Sequence, residues 1–181
     1  MTREEAIAEI KSRCGNKNLF KHMLATEAVM VGLARRLGED EEAWALAGLV
    51  HDIDYEETAD DPDRHALVSA EILEELGVCE EIIHAVKAHN DKAPRDSTMD
   101  RALYASDPVT GLIVASALMH PDKKLAGLDV EFVMRRFKEK RFAAGADRDQ
   151  IAACSELGLS LEEFLGLAID SMQRVSKELG L

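Results

Sequence analysis

Apolar residues recur at helical spacing along almost the whole chain, and no stretch shows the strict alternation of a half-buried strand. Leu19, Met23, Val29, Met30, Leu33 and Leu37 mark one such stretch. They predict a helix over 19–37, with Gly38 as its stop. Shorter helices are predicted over 2–14, 41–51, 65–77 and 80–90, with an acidic loop at 54–64. Ser97 and Asp100 have the spacing of a capping box and open a long sixth helix. Pro108 lies inside it, which predicts a kink or local break. Further helices are predicted over 129–139, 147–157 and 161–179, the last opened by a second capping box, Ser160 with Glu163. The fold class is therefore all-α. The expected organisation is one domain over 1–181, with a core at about 19–119 and C-terminal helices at about 128–181 packed on it.

Composition narrows the function classes. Of 181 residues, 46% are hydrophobic and 31% charged, the balance of an ordinary globular chain. A net charge of −13 argues against general nucleic-acid binding or attachment to an anionic membrane, both of which favour a basic surface. Cys14, Cys79 and Cys154 form neither a paired motif nor a disulfide framework. The charged N-terminus lacks the apolar stretch of a signal peptide. No uninterrupted apolar run approaches the ~20 residues that span a bilayer. A cytoplasmic protein is the expectation.

Candidate chemistry lies in His22, His51, Asp52, His65, His89 and Asp107. Residues three, four and seven apart share a helix face. On that geometry His22 sits with Ala25, Thr26 and Val29, and His51 with Trp44 and Ala47. His65 sits with Val68, Ser69 and Ile72, His89 with Ile82, Ala85 and Val86, and Asp107 with Leu103, Gly111 and Val114. All five therefore lie on inward stripes, and Asp52 directly follows His51. His84 keeps company with Glu80, Glu81 and Lys87 and is expected in solvent; His120 begins a loop. A single histidine on an apolar face is usually a core residue, but a buried carboxylate needs a cation, because leaving it unpaired costs several kcal/mol (roughly). One metal centre answers both demands. Imidazole and carboxylate together suit iron, manganese or another divalent transition metal.

The order His22, His51-Asp52, His65, His89, Asp107 resembles the HD-domain superfamily of metal-dependent phosphohydrolases, over roughly residues 19–112. The string Leu49-Val50-His51-Asp52-Ile53 and the start His65-Ala66-Leu67-Val68-Ser69-Ala70 carry the likeness locally. The resemblance implies a five-helix core. His22, His51, Asp52 and Asp107 match the minimal ligand pattern, and His65 with His89 marks the binuclear type. It further implies that Asp52 is the central catalytic carboxylate, bridging two divalent metals, with His22, His51 and Asp107 on one and His65 and His89 on the other. Water shared by the metals would be acidified towards hydroxide and attack phosphorus in line. Two departures bear on the substrate. Asp54 and Tyr55 stand where one subgroup has Gly and often Lys, and no Gly-Tyr-Pro motif is present.

A basic segment offers phosphate contacts. Residues 134–148 carry a net +4 around the loop Phe142-Ala143-Ala144-Gly145-Ala146. Lys140, Arg141 and Arg148 are the expected substrate-binding residues, against the plainer reading of a solvated helix face. The expected substrate is a small phosphorylated molecule such as a nucleotide. A mixed-valent di-iron oxygenase and a non-catalytic, metal-stabilised binding module stay open beside the phosphohydrolase, as do monomer and homodimer.

Overall fold

The computed structural model describes residues 1–181, and every regular element in it is helical. Eleven α-helices follow in order: α1 (Arg3–Arg13), α2 (Lys17–Leu37), α3 (Glu41–Val50), α4 (Tyr55–Thr58), α5 (Leu67–Glu75), α6 (Glu80–His89), α7 (Thr98–Met119), α8 (Val130–Lys138), α9 (Arg148–Ala152), α10 (Leu161–Arg174) and α11 (Ser176–Leu179). The caps explain where the chain starts and stops them. Asn16 and Asp40 accept the first free amides of α2 and α3. Ser97 with Asp100 and Ser160 with Glu163 form reciprocal capping boxes at α7 and α10. Gly38 ends α2 with φ 77°, a conformation that other residues adopt at a cost.

Two expectations about α7 change. The helix runs unbroken through Pro108. It is also long and apolar enough, by length and composition, to cross a membrane. However, most of it is buried inside the bundle, where it packs against α2, α6, α8 and α9. Asp100, Arg101 and Asp107 punctuate it, so no uninterrupted apolar run marks it in the sequence. The predicted helix over 147–157 is split into α9 and a 3₁₀ turn, Ala153–Leu157, and the one over 161–179 is interrupted at Val175.

One apolar cluster extends from Ala6 to Leu179, with Trp44, Phe164, Met23, Met30 and Leu103 among its fully buried side chains. Within it α2 and α3 cross at very close range. A Cβ placed on Gly48 would stand 2.9 Å from the backbone of Glu27, so only glycine fits there. Glycine inside a helix costs about 1 kcal/mol relative to alanine. Here that cost accompanies a contact that places His22 of α2 beside His51 at the end of α3.

Candidate metal centre

The six residues singled out by the sequence meet at one point. His22 comes from the second turn of α2, His51 caps the C-terminus of α3 and Asp52 follows it. His89 closes α6, and Asp107 projects from the middle of α7. The Asp52 carboxylate divides the group. Its Oδ2 lies 3.5 Å from Nε2 of both His22 and His51. Its Oδ1 lies 3.3 Å from Nε2 of His65 and 3.6 Å from Nε2 of His89. Asp107 Oδ1 joins the first side, 3.0 Å from His22 Nε2 and 3.8 Å from His51 Nε2.

Every histidine is oriented through its other ring nitrogen. His51 Nδ1 donates to the Gly48 carbonyl at 2.9 Å, and His89 Nδ1 to the Val86 carbonyl. His22 Nδ1 contacts Thr110 Oγ1 at 2.9 Å, and that hydroxyl in turn donates to the Asp107 carbonyl, so it accepts from the imidazole. His65 Nδ1 donates to Asp54 Oδ1 at 2.8 Å. In the neutral imidazoles Nδ1 carries the proton, and all four Nε2 atoms then present a lone pair to the same small volume. This is how metal-binding histidines are held.

The electrostatics reflect the crowding. Burial disfavours the charged form of His51, but Asp52 and Asp107 outweigh it and raise its pKa to about 9. Burial likewise opposes charge on His65, and Asp52 and Asp54 raise it to about 10. Asp52 resists burial through His51, His65 and His89 and stays well below the usual carboxylate range; Asp107 is lowered in the same way by His22 and His51. In the metal-free cluster, protons on the imidazoles thus do the neutralising. One buried atom still has no partner: His89 Nε2 makes no hydrogen bond. An orphaned lone pair, with donor atoms within 4.8 Å of one another in two overlapping triplets (His22, His51 and Asp107; His51, Asp52 and His89), fits a divalent transition metal.

Several site residues were not visible in the sequence, or sit differently from expectation. His65 is not on a helix. It lies in the turn before α5, whose N-cap, Ala66, has φ 69°. The cause is Asp54, expected in a solvated acidic loop but only 1% exposed. Its Oδ2 accepts from the amides of Ala66 and Ser69, capping α5 from outside, while Oδ1 holds His65. Glu56 of the same loop stays exposed but ties it to the start of α2, accepting from the amides of Gly15 and Asn16. His84 is half-buried against the buried carboxylate of Asp100 rather than free in solvent. His120, at the end of α7, takes no part in the cluster.

The basic segment divides. The loop 143–146 does reach the cluster, since Ala143, Gly145 and Ala146 line a hollow of about 310 Å³ with His22, Asp107, Pro108 and Gly111. Lys140 and Arg141 are exposed and do not line it. Arg148 departs from its expected role in phosphate binding. Its guanidinium donates to the carbonyls of Arg136, Phe137, Phe142, Ala143 and Ala146, which leaves no N–H for a ligand. Arg148 fastens the loop. A cleft of about 690 Å³ between α2 and α10 contains none of the six residues.

A helical bundle with a buried cluster of imidazoles and carboxylates, able to hold divalent metal, is the class that this geometry defines. The family model for the HD domain matches residues 19–148, and the chain belongs to the HD-domain superfamily of metal-dependent phosphohydrolases. Among curated proteins, ribonuclease Y of Oleidesulfovibrio alaskensis is 29% identical over 106 residues, covering 58% of this chain and 20% of that protein. Ribonuclease Y of Desulfotalea psychrophila is 28% identical over 138 residues, covering 74% of this chain and 26% of that protein. Ribonuclease Y of Geotalea uraniireducens is 24% identical over 177 residues, covering 96% of this chain and 34% of that protein. The chain therefore spans about a fifth to a third of the length of these relatives. No solved structure matches it.

Proposed function

We propose that the protein hydrolyses a small phosphate ester at a binuclear centre. Asp52 would be shared between two divalent metals, with His22, His51 and Asp107 on one and His65 and His89 on the other. The observation that carries this reading is the division of Asp52, one carboxylate oxygen facing His22 and His51 and the other facing His65 and His89. Bound divalent cations supply Lewis acidity and acidify water. The chain's residues do the rest. His22 and Asp107 are the most open of the six, at 24% and 29% side-chain exposure, so substrate approaches along α2 and α7. Backbone around Gly145 borders that approach, and the exposed Lys140 and Arg141, a few residues before it in the chain, are the proposed contacts to phosphoryl oxygens.

The name of the relatives, ribonuclease Y, makes a phosphodiester the first bond to test here. The experiment is elemental analysis of protein purified without oxygen or chelator, followed by assay of bis(4-nitrophenyl) phosphate. Two metals per chain and metal-dependent release of nitrophenolate are expected. One metal per chain would remove His65 and His89 from the ligand set. Two irons with oxygen uptake and no hydrolysis would replace this reading with oxygenase chemistry.

A further inference from the structure

The metal centre leaves one large concavity unused. The cleft of about 690 Å³ between α2 and α10 shares no lining residue with the hollow beside Asp107. Its volume falls within the roughly 300–1,000 Å³ of small-molecule sites. Ala28, Val31, Leu167 and Val175 give it an apolar waist. At its floor the two helices nearly touch, since a Cβ on Gly32 would stand 2.2 Å from Ser171 Oγ. Ser171 is only 6% exposed, it lines the cleft, and its hydroxyl has no hydrogen-bond partner within the fold. A buried hydroxyl without a partner forgoes the bond that compensates its burial. The cleft is where a partner can reach it.

Charge points to what that partner is. Four arginines and no lysine stand around the cleft, in a chain of net charge −13. The helix dipole alone favours three of them, since Arg35 and Arg36 close α2 and Arg174 closes α10. It neither gathers them around one concavity nor adds Arg3 from α1. Two are already committed: Arg3 forks onto the Glu27 carboxylate, and Arg35 pairs with Glu41 outside the cleft at 2.8 Å. Arg36 and Arg174 are exposed and make neither an ion pair nor a side-chain hydrogen bond. Among the acids of the lining, Glu27 is held by Arg3 and Glu163 by the Ser160 amide, which leaves Asp170 alone uncommitted and the balance positive. Ser160, and after it Arg36, holds the Glu163 carboxyl below its usual range, which sets Arg36 at the first turn of α10. Arg174 lies in the last turn, about 16 Å along the axis. We infer that the cleft is a second binding site, for an elongated small molecule with an anionic group at each end and an apolar middle. Arg174 and the Ser171 hydroxyl, three residues apart on one face, take one anion, and Arg36 takes the other. The waist covers the chain between them.

The site is independent of the phosphohydrolase reading, and calorimetry on the full chain tests it. The probes are octane-1,8-diphosphonate, with an anion at each end, and octylphosphonate, with one. The diphosphonate should bind about tenfold more tightly, through its second charge-assisted pair. Arg36→Gln and Arg174→Gln should each erase that advantage at an unchanged melting temperature, and Ser171→Ala should weaken the diphosphonate about threefold. Asp52→Ala, which takes the central carboxylate from the metal cluster, should change neither affinity. Decanedioate carries the same spacer between carboxylates, so the tighter of the two double anions names the acid group. Failure of both double anions to bind, equal affinity of the two phosphonates, an advantage that survives both arginine variants, or its loss in Asp52→Ala would each overturn the inference.

Discussion

The two sides of the cluster are built by different means. On one side, His22, His51 and Asp107 stand on or at the end of regular helices; Gly48, three residues before His51, holds its ring, and Thr110 of α7, one turn after Asp107, holds that of His22. On the other, His65 stands on a turn with a left-handed residue after it, held by a carboxylate eleven residues earlier in the chain. Regular helix geometry supplies position almost without further support. An irregular turn must be over-determined by buried polar contacts, and Asp54 supplies three of them. The second side should therefore be the more easily separated from the fold.

Asp52→Ala removes the residue common to both sides. Metal content by elemental analysis should fall from two per chain to none, and retention of either ion would contradict a shared carboxylate. Asp54 tests the difference itself. Asp54→Ala should lower stability by about 3 kcal/mol in denaturant titration, since buried amides lose their acceptor. Asp54→Asn still offers an oxygen to those amides, but a carboxamide can present N–H to His65 and favour the wrong tautomer. That variant should fold, keep one metal and lose the other; loss of both together would mean that the sides are not independent.

Proton linkage gives a smaller, graded effect. In the metal-free protein the folded His51 and His65 titrate at about 9 and about 10, above an ordinary imidazole near 6.5. Their contribution to stability is thus complete below about pH 6.5 and is lost as pH rises through those values. Metal must displace these protons, so loading near pH 7.5 should release about two protons per chain. Calorimetry in buffers of different ionisation enthalpy measures that number; zero would show that the imidazoles are already neutral. Smallest of all, Thr110→Val leaves His22 Nδ1 without its acceptor and should weaken the first metal about tenfold. Competitive titration with a chelator would detect it, and an effect confined to the second metal would reverse the assignment of the sides.

The same contrast explains what the sequence could reveal. Helix spacing located α2, α3, α6 and α7 within a few residues, because periodic burial is a local signal. It also turned His22, His51, His89 and Asp107 to the right face. His65 joins the cluster as its face predicts, but its place on a turn rather than a helix, and the Asp54 that holds it, lie beyond that signal. A left-handed alanine has no sequence signature, and Asp54 sits among six acidic residues that look alike until the chain folds. Arg148 was misread for the same reason, because five carbonyls from a loop and a helix end converge on it only in three dimensions.

The crossing at Gly48 sets a tolerance for the whole centre. His22 Nε2 and His51 Nε2 stand 3.1 Å apart, and the helices that carry them are gauged by a contact with no side chain between them. A methyl group at that position would act as a shim, spreading the two imidazoles before it disturbed the rest of the core. The spacing between two of the six candidate ligands is thus set at a residue that touches neither of them.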